Sequence, residues 1–458
     1  MSNKIQFIVK PGGTVTGRIR VPGDKSISHR SIMLGSIAEG KTHITGFLEG
    51  EDSLATLKAF QAMGVQIEGP VDGRVIIQGV GLKGLKAPKM ALDMGNSGTA
   101  MRLLAGILAG QDFESELVGD ASLSKRPMQR VTEPLAEMGA QIQTAEGGKP
   151  PIHLTPNQGH ANLKAIHYEL PMASAQVKSC VLLAGLYAKG QTSVIEPAPT
   201  RDHTERMLRG FGYAVTSEKL DASRTQVLLQ GGGHLQAMDI DVPSDISSAA
   251  FFMVAAAIAK QADLVIEHVG MNPTRTGVID ILMLMGADIT LENESVVGGE
   301  PVADIHISAS KLKGIHIPDA LVPLAIDEFP VLFVAAAAAE GQTVLTGAEE
   351  LRVKESDRIQ VMAEALQAVG IDAIATTDGM IINGGQQAPQ KAPILSHHDH
   401  RISMAMVVAG LNASAEITID DCANVNTSFP SFLALANEVG IQVQAVQASF
   451  ENDSKIIG

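Results

Sequence analysis

The sequence predicts an α/β protein of six repeated subdomains, collected into two groups of three. Three observations lead there. An amphipathic helix that ends in Gly and passes at once into alternating strand residues recurs six times. A second unit, an Ala/Leu/Val-rich helix followed by a short turn and a Thr/Val/Ile strand, falls between those copies. Finally, 458 residues exceed what a single hydrophobic core usually organises.

The first unit is marked by Gly64, Gly139, Gly212, Gly286, Gly370 and Gly440, spaced 70 to 84 residues apart. Glycine at the end of a helix supplies the left-handed conformation that stops it. The second unit occupies 31–45, 99–117, 175–195, 248–266, 330–345 and 402–419. Each period reads as strand, helix, strand, helix and strands, too long for a solenoid repeat and long enough for a small subdomain. The apolar runs 249–259 and 329–339, 11 residues each, are too short to span a bilayer. A helix apolar on every face, such as 249–259, must be covered on every face, so each group is expected to enclose its own buried helices.

Composition narrows the function. The chain is 45% hydrophobic and 19% charged, has no Trp and 3 Tyr, and carries a net charge of -15. So few aromatics and so acidic a balance argue against nucleic acid, which requires stacking platforms and clustered cations. Cys180 and Cys422 form no CxxC pair or disulfide framework, which suits a reducing compartment. The N-terminal residues lead into a strand-like run rather than a signal sequence. A cytoplasmic monomer acting on small molecules, without a membrane partner, is expected.

Candidate chemistry gathers at the N-terminal ends of the second-unit helices. In order these are Asp24-Lys25-Ser26-Ile27-Ser28-His29-Arg30, Asn96-Ser97-Gly98-Thr99-Ala100-Met101-Arg102, Ser174-Ala175-Gln176-Val177-Lys178, Ser244-Asp245, Asp327-Glu328 and Asp399-His400-Arg401. Such ends present unpaired N–H groups and a positive dipole, so they attract anions. Ser and Asp there are also ordinary caps. Capping does not explain Lys25, Arg30, Arg102 and Arg401, which the dipole disfavours unless an anion is bound. Loops add Arg126, Arg201, Lys354 and Arg358. A multiply anionic, phosphorylated small molecule is the natural partner, since Arg forks fit phosphate and carboxylate oxygens. Gly23-Asp24-Lys25-Ser26 lacks the glycine spacing of a P-loop. His397-His398-Asp399-His400 matches no standard zinc spacing, so no metal is expected. His153, His167 and His306 alternate with apolar residues and read as strand or loop positions.

Four strings carry a resemblance: 22–30 (PGDKSISHR), 95–102 (GNSGTAMR), 350–358 (ELRVKESDR) and 399–401 (DHR). Together, in this order, they resemble the enolpyruvyl transferase family, and within it the 5-enolpyruvylshikimate-3-phosphate (EPSP) synthases of the bacterial second class. The resemblance implies a two-domain inverse α/β barrel fold, each domain made of three βαβαββ repeats, with the active site in the cleft between them. It places 1–22 and 243–458 in a first, discontinuous domain and 23–242 in a second.

By motif, Lys25, Ser26, Arg30, Ser174, Gln176, Arg201, Asp327 and Lys354 would hold shikimate 3-phosphate. Lys25, Gly98, Arg126, Gln176, Arg358 and Arg401 would hold phosphoenolpyruvate. Asp327 would accept the proton of the acceptor hydroxyl, and Lys25 or Glu355 would protonate the methylene carbon; no cofactor is implied. The chain departs from some members at Glu350 (Asn elsewhere), Thr427 (Lys), Ala175 (Ser) and Leu103 (Pro). Two alternatives stand beside this one. A UDP-N-acetylglucosamine enolpyruvyl transferase would carry a reactive Cys within 120–130, where this chain has Lys125-Arg126-Pro127. A non-catalytic binder of phosphorylated metabolites would give Asp327 and Glu355 no role.

Overall fold

The computed structural model describes residues 5–156, 162–221, 223–297, 299–385, 389–390 and 393–447. The outer limits of the expected first domain, 1–4 and 448–458, lie outside them. Among the described residues two kinds of helix alternate: α1 (Lys25–Ile37), α2 (Glu51–Ala62), α3 (Gly98–Ala109), α4 (Gln129–Glu137), α5 (Ala175–Gly185), α6 (His203–Gly210), α7 (Ile246–Ile258), α8 (Gly277–Leu284), α9 (Phe329–Ala338), α10 (Arg358–Ala368), α11 (His400–Ala409) and α12 (Phe432–Glu438).

The even-numbered helices are those of the first unit. The glycines just beyond them, Gly64, Gly139, Gly212, Gly286, Gly370 and Gly440, have φ of +86°, +93°, +79°, +97°, +84° and +105°. Those values lie where a side chain is penalised, which is why Gly recurs there. The odd-numbered helices are the more deeply buried ones, and all of α7 is buried. Small Ala side chains along α7 and α9 let α7, α9 and α11 pack together at the centre of one core.

Each repeat contributes a small sheet. In the second, Leu92–Asp93 pairs in parallel with Ser115–Val118 across α3, and Lys149–Thr155 and Gln141–Ala145 extend the sheet antiparallel. His167–Glu169 around α5 and Ile394–Leu395 around α11 repeat the arrangement. A parallel pair needs a long crossover, and the apolar helix supplies it.

Two strands are exchanged. Val15–Ile19 runs toward α1, yet it pairs with Ala262–Gly270, the strand that follows α7. Ile240–Asp241 runs toward α7, yet it pairs with Glu39–Thr45, the strand that follows α1. The chain therefore crosses twice between domains, and the crossings lie side by side: Asp24 N donates to Pro243 O at 2.8 Å and Asp245 N to Pro22 O at 2.9 Å. Two hydrophobic cores result. One draws on residues from Phe7 to Val21 and from Ile246 to Val443. The other draws on residues from Ile27 to Val242. Among the described residues no helix is long and apolar enough to cross a membrane.

Candidate active site at the domain junction

The odd-numbered helices start with caps, as their Ser and Asp residues suggest. Asp24 accepts from Ile27 N, Ser97 from Ala100 N, Ser174 from Val177 N, Asp245 from Ser247 N and Asp399 from Arg401 N. Helix α9 is the exception. Glu328 precedes it without capping it and turns its carboxylate to the Ser247 hydroxyl instead. Capping and charge placement thus coexist, because the cap holds each helix start rigidly where the domains meet.

Asp327 lies at the centre of a charge cluster. One carboxylate oxygen pairs with Arg201, from the other domain. The second lies 3.4 Å from both Lys354 Nζ and Arg358 Nη1. Its backbone oxygen accepts from Arg401 Nη1 at 2.8 Å. Burial alone would raise the Asp327 pKa, but Lys354, Arg201, Arg401 and Arg358 together hold it well below the ordinary aspartate value.

Glu355 is the second central carboxylate. It accepts from Arg358 Nη2 at 2.7 Å and faces Arg126 Nη1 of the other domain at 3.7 Å. Burial opposes its ionisation, while Arg358, Arg126, His400 and Lys25 favour it and prevail. Arg358 is 1% exposed because most of its fork is engaged: Nε donates to Asp399 at 2.8 Å, and Nη2 reaches Glu355.

Across the junction, Arg126 donates through Nη2 to Asn96 Oδ1 at 2.7 Å. A Cβ on Gly98 would stand 3.3 Å from Arg126 Nη1 and 2.8 Å from Arg102 Nη1. The bare backbone at Gly98 is what lets both guanidinium groups approach. Arg102 donates to Gln176 Oε1 at 2.8 Å, and Gln176 Nε2 donates to Thr99 at 3.0 Å. Burial, reinforced by Arg126 and Arg130, lowers the Arg102 pKa to about 10. Lys25 ion-pairs with Asp52 at the start of α2.

The structure therefore brings Arg126, Arg201, Asp327, Lys354, Glu355, Arg358 and Arg401 into one cluster. Gly98 and Gln176 adjoin it through Arg102 and Arg126. Lys25 stands close enough to act electrostatically on Glu355 and His400. Ser26 offers its backbone oxygen to Arg30 Nη1 at 2.9 Å, and Ser174 caps α5. Arg30 is set deeper, with Nε on Thr204 at 2.7 Å and Nη2 on Ser179 at 3.0 Å.

Other charged loop residues turn away. Arg352 donates to Thr377 O and Asp357, and buried His203 pairs with Glu300 at 3.0 Å. His398 pairs with Asp421 while His400 is buried. His153, His167 and His306 sit on strands. Sequence reading marked Arg102 as an anion-seeking cation and Asp399 as a cap, but gave no sign that Arg102 would hold Gln176 or Asp399 would hold Arg358. It missed Asp52 entirely, since nothing local to 51–62 signals a contact with Lys25. At the departures, Glu350 accepts from Lys354 Nζ at 2.6 Å, and Thr427 donates its hydroxyl to Asn424 O at 2.7 Å.

Repeated α/β units in two domains, with charged side chains from separate repeats pooled where the domains meet, define a two-domain α/β enzyme. Comparison with known proteins narrows that class to one family. The family described as EPSP synthase (3-phosphoshikimate 1-carboxyvinyltransferase) matches residues 9–435, and the chain belongs to it. A 3-phosphoshikimate 1-carboxyvinyltransferase of Hydrogenovibrio crunogenus is 78% identical over 98% of this chain and 100% of its own length. One from Alkalilimnicola ehrlichii is 62% identical over 95% of this chain and 96% of its own. A solved EPSP synthase of Acinetobacter baumannii superposes with a TM-score of 0.85 at 61% identity, covering 97% of this chain and 100% of that one.

Proposed function

We propose that this chain transfers the enolpyruvyl group of phosphoenolpyruvate to the 5-hydroxyl of shikimate 3-phosphate and releases inorganic phosphate, a step of aromatic amino acid biosynthesis. One observation supports it above the others. Asp327 is ringed by Lys354, Arg201, Arg358 and Arg401, contributed by both domains. That is a buried carboxylate held ionised where cations from both domains converge on it. Family membership and the 78% relative support the same activity.

In this scheme Lys25, Ser26, Arg30, Ser174, Gln176, Arg201, Asp327 and Lys354 hold shikimate 3-phosphate. Lys25, Gly98, Arg126, Gln176, Arg358 and Arg401 hold phosphoenolpyruvate. Domain boundaries at 22/23 and 242/243 go with it, supported by the two cores and the paired crossings. Asp327 takes the hydroxyl proton as the oxygen attacks the central carbon of the enolpyruvate. The methylene carbon takes up a proton in the same addition. The tetrahedral adduct then loses a methyl proton and expels phosphate, restoring the double bond.

Asp327 is a weak base while Lys354, Arg201, Arg401 and Arg358 act on it unopposed by substrate. Two polyanionic substrates offset that pull, so its basicity rises as the site fills. Glu355 is an anion in the arrangement described and becomes a proton donor only after taking up a proton. Lys25, ion-paired with Asp52, is the donor candidate that already carries one. The enzyme works as a monomer in the cytoplasm, where Cys180 and Cys422 stay reduced. Both are buried thiols whose pKa burial pushes up to about 12.

The direct test is to incubate the protein with phosphoenolpyruvate and either shikimate 3-phosphate or UDP-N-acetylglucosamine and follow phosphate release. Release with shikimate 3-phosphate alone is expected. Release only with the nucleotide sugar, or binding without turnover, would overturn the assignment.

A further inference from the structure

Between the strand Ala262–Gly270 and α8 the chain makes a short loop, 271–276, carrying Asn272 and Arg275. Both side chains are buried, at 2% and 3% exposure. The loop belongs to the domain of α7, yet both side chains reach the other domain. Arg275 Nη1 donates to Asp24 Oδ2 at 2.9 Å; Nη2 donates to Ser247 Oγ at 2.6 Å and Asp245 Oδ1 at 3.1 Å, and lies 3.9 Å from Glu328 Oε1. Asn272 Nδ2 donates to Asp202 Oδ1 at 2.7 Å and to Glu300 Oε2 at 3.1 Å.

The gripped residues are chain neighbours of proposed site residues. Asp24 precedes Lys25, Asp202 follows Arg201, and Glu328 follows Asp327. Glu328 also accepts from Ser247 and faces Arg401 Nη1 at 3.7 Å.

We propose that Asn272 and Arg275 form a clamp that positions Lys25, Arg201 and Asp327 relative to one another across the domain junction; this rests on the function proposed above. Asp24 and Asp245 cap the two helices that begin immediately after the interdomain crossings. A planar guanidinium fork between them lessens the repulsion of two facing carboxylates and also fixes their separation. A lysine at the same place carries the same charge but cannot bridge at two defined points. Since the clamp holds residues one position from the proposed ligand contacts, its loosening shifts those contacts by a fraction of a bond length or more. A displacement of about 1 Å at a reacting centre costs roughly 10²-fold in rate.

The test uses Arg275→Lys and Asn272→Ala in the full chain. Thermal melting is measured beside steady-state kinetics in which shikimate 3-phosphate and phosphoenolpyruvate are varied separately. Both variants are expected to melt cooperatively near the unmodified protein. Their kcat should fall at least about ten-fold, by more than either KM rises, because transition-state geometry is the stricter requirement. If Arg275→Lys does not fold, Asn272→Ala decides alone by the same criterion. A folded variant with kcat within about two-fold of the unmodified protein overturns the clamp, as does a loss confined to KM. The unmodified protein runs alongside, and absence of turnover there would count against the proposed function instead.

Discussion

Asp327 is held ionised by four cations against the cost of its burial, and two predictions follow from that environment. Replacing Asp327 by Ala should lower kcat by about 10²–10⁴-fold, the range of one general base, with the far-ultraviolet circular dichroism spectrum unchanged. Near-normal turnover would remove Asp327 from the role. The second prediction concerns pH. Substrate anions among Lys354, Arg201, Arg358 and Arg401 offset the charges that depress the Asp327 pKa, so that pKa is higher in the occupied enzyme. The acid limb of kcat, which reports the complex, should therefore lie at higher pH than the acid limb of kcat/KM, which reports the free enzyme. Coincident limbs would contradict it. The stability linkage has a definite sign as well. Folded values depressed below the ordinary 3.8 of Asp327 and 4.5 of Glu355 stabilise the protein above those values. That contribution is lost as pH falls toward the folded ones.

At the scale of elements, the six terminating glycines can be tested one at a time. Gly139 has φ +93°, and a Cβ there would stand 3.6 Å from its nearest neighbour, Asn162 O. Space is not the obstacle, so Gly139→Ala should cost only the left-handed penalty, about 1–2 kcal/mol. A lowered urea midpoint with unchanged kcat would show it; an unshifted midpoint would mean that the turn relaxes at no cost. These glycines were readable from sequence because a helix stop is a local event. So were the cap residues at Asp24, Ser97, Ser174, Asp245 and Asp399, and the burial of 249–259. The motif strings located the charged cluster for the same reason, since each string lies at the start of one helix or in one loop. Arg275, Asn272 and Asp52 left no such trace. Their partners lie on other elements, 251 residues away for Arg275 and Asp24, and no periodicity encodes a contact of that range. The exchange of Val15–Ile19 with Ile240–Asp241 is likewise silent in the repeat pattern, because either strand would fit either sheet.

For the whole molecule, the two domains share ion pairs, Arg201 with Asp327, Arg126 with Glu355 and Arg275 with Asp24, and a hydrogen bond between His203 and Glu300. Substrate anions bound between cations of the two domains would add to these contacts, so ligand and closure should reinforce each other. Adding shikimate 3-phosphate should reduce the radius of gyration measured by small-angle X-ray scattering, and unchanged dimensions would count against closure. The side-by-side crossings carry a topological consequence. Because the chain leaves and re-enters through crossings that lie side by side, the proposed second domain, 23–242, would be an insert whose two ends meet. Joining residue 22 to 243 with a few flexible residues would give a continuous remainder with its own helices α7 to α12. That remainder would keep the pairing of Val15–Ile19 with Ala262–Gly270, and Ile240–Asp241 would leave with its partner Glu39–Thr45 in the excised piece. The architecture thus resembles one barrel-like unit slotted into another, so each half is separable by a single excision rather than by unthreading.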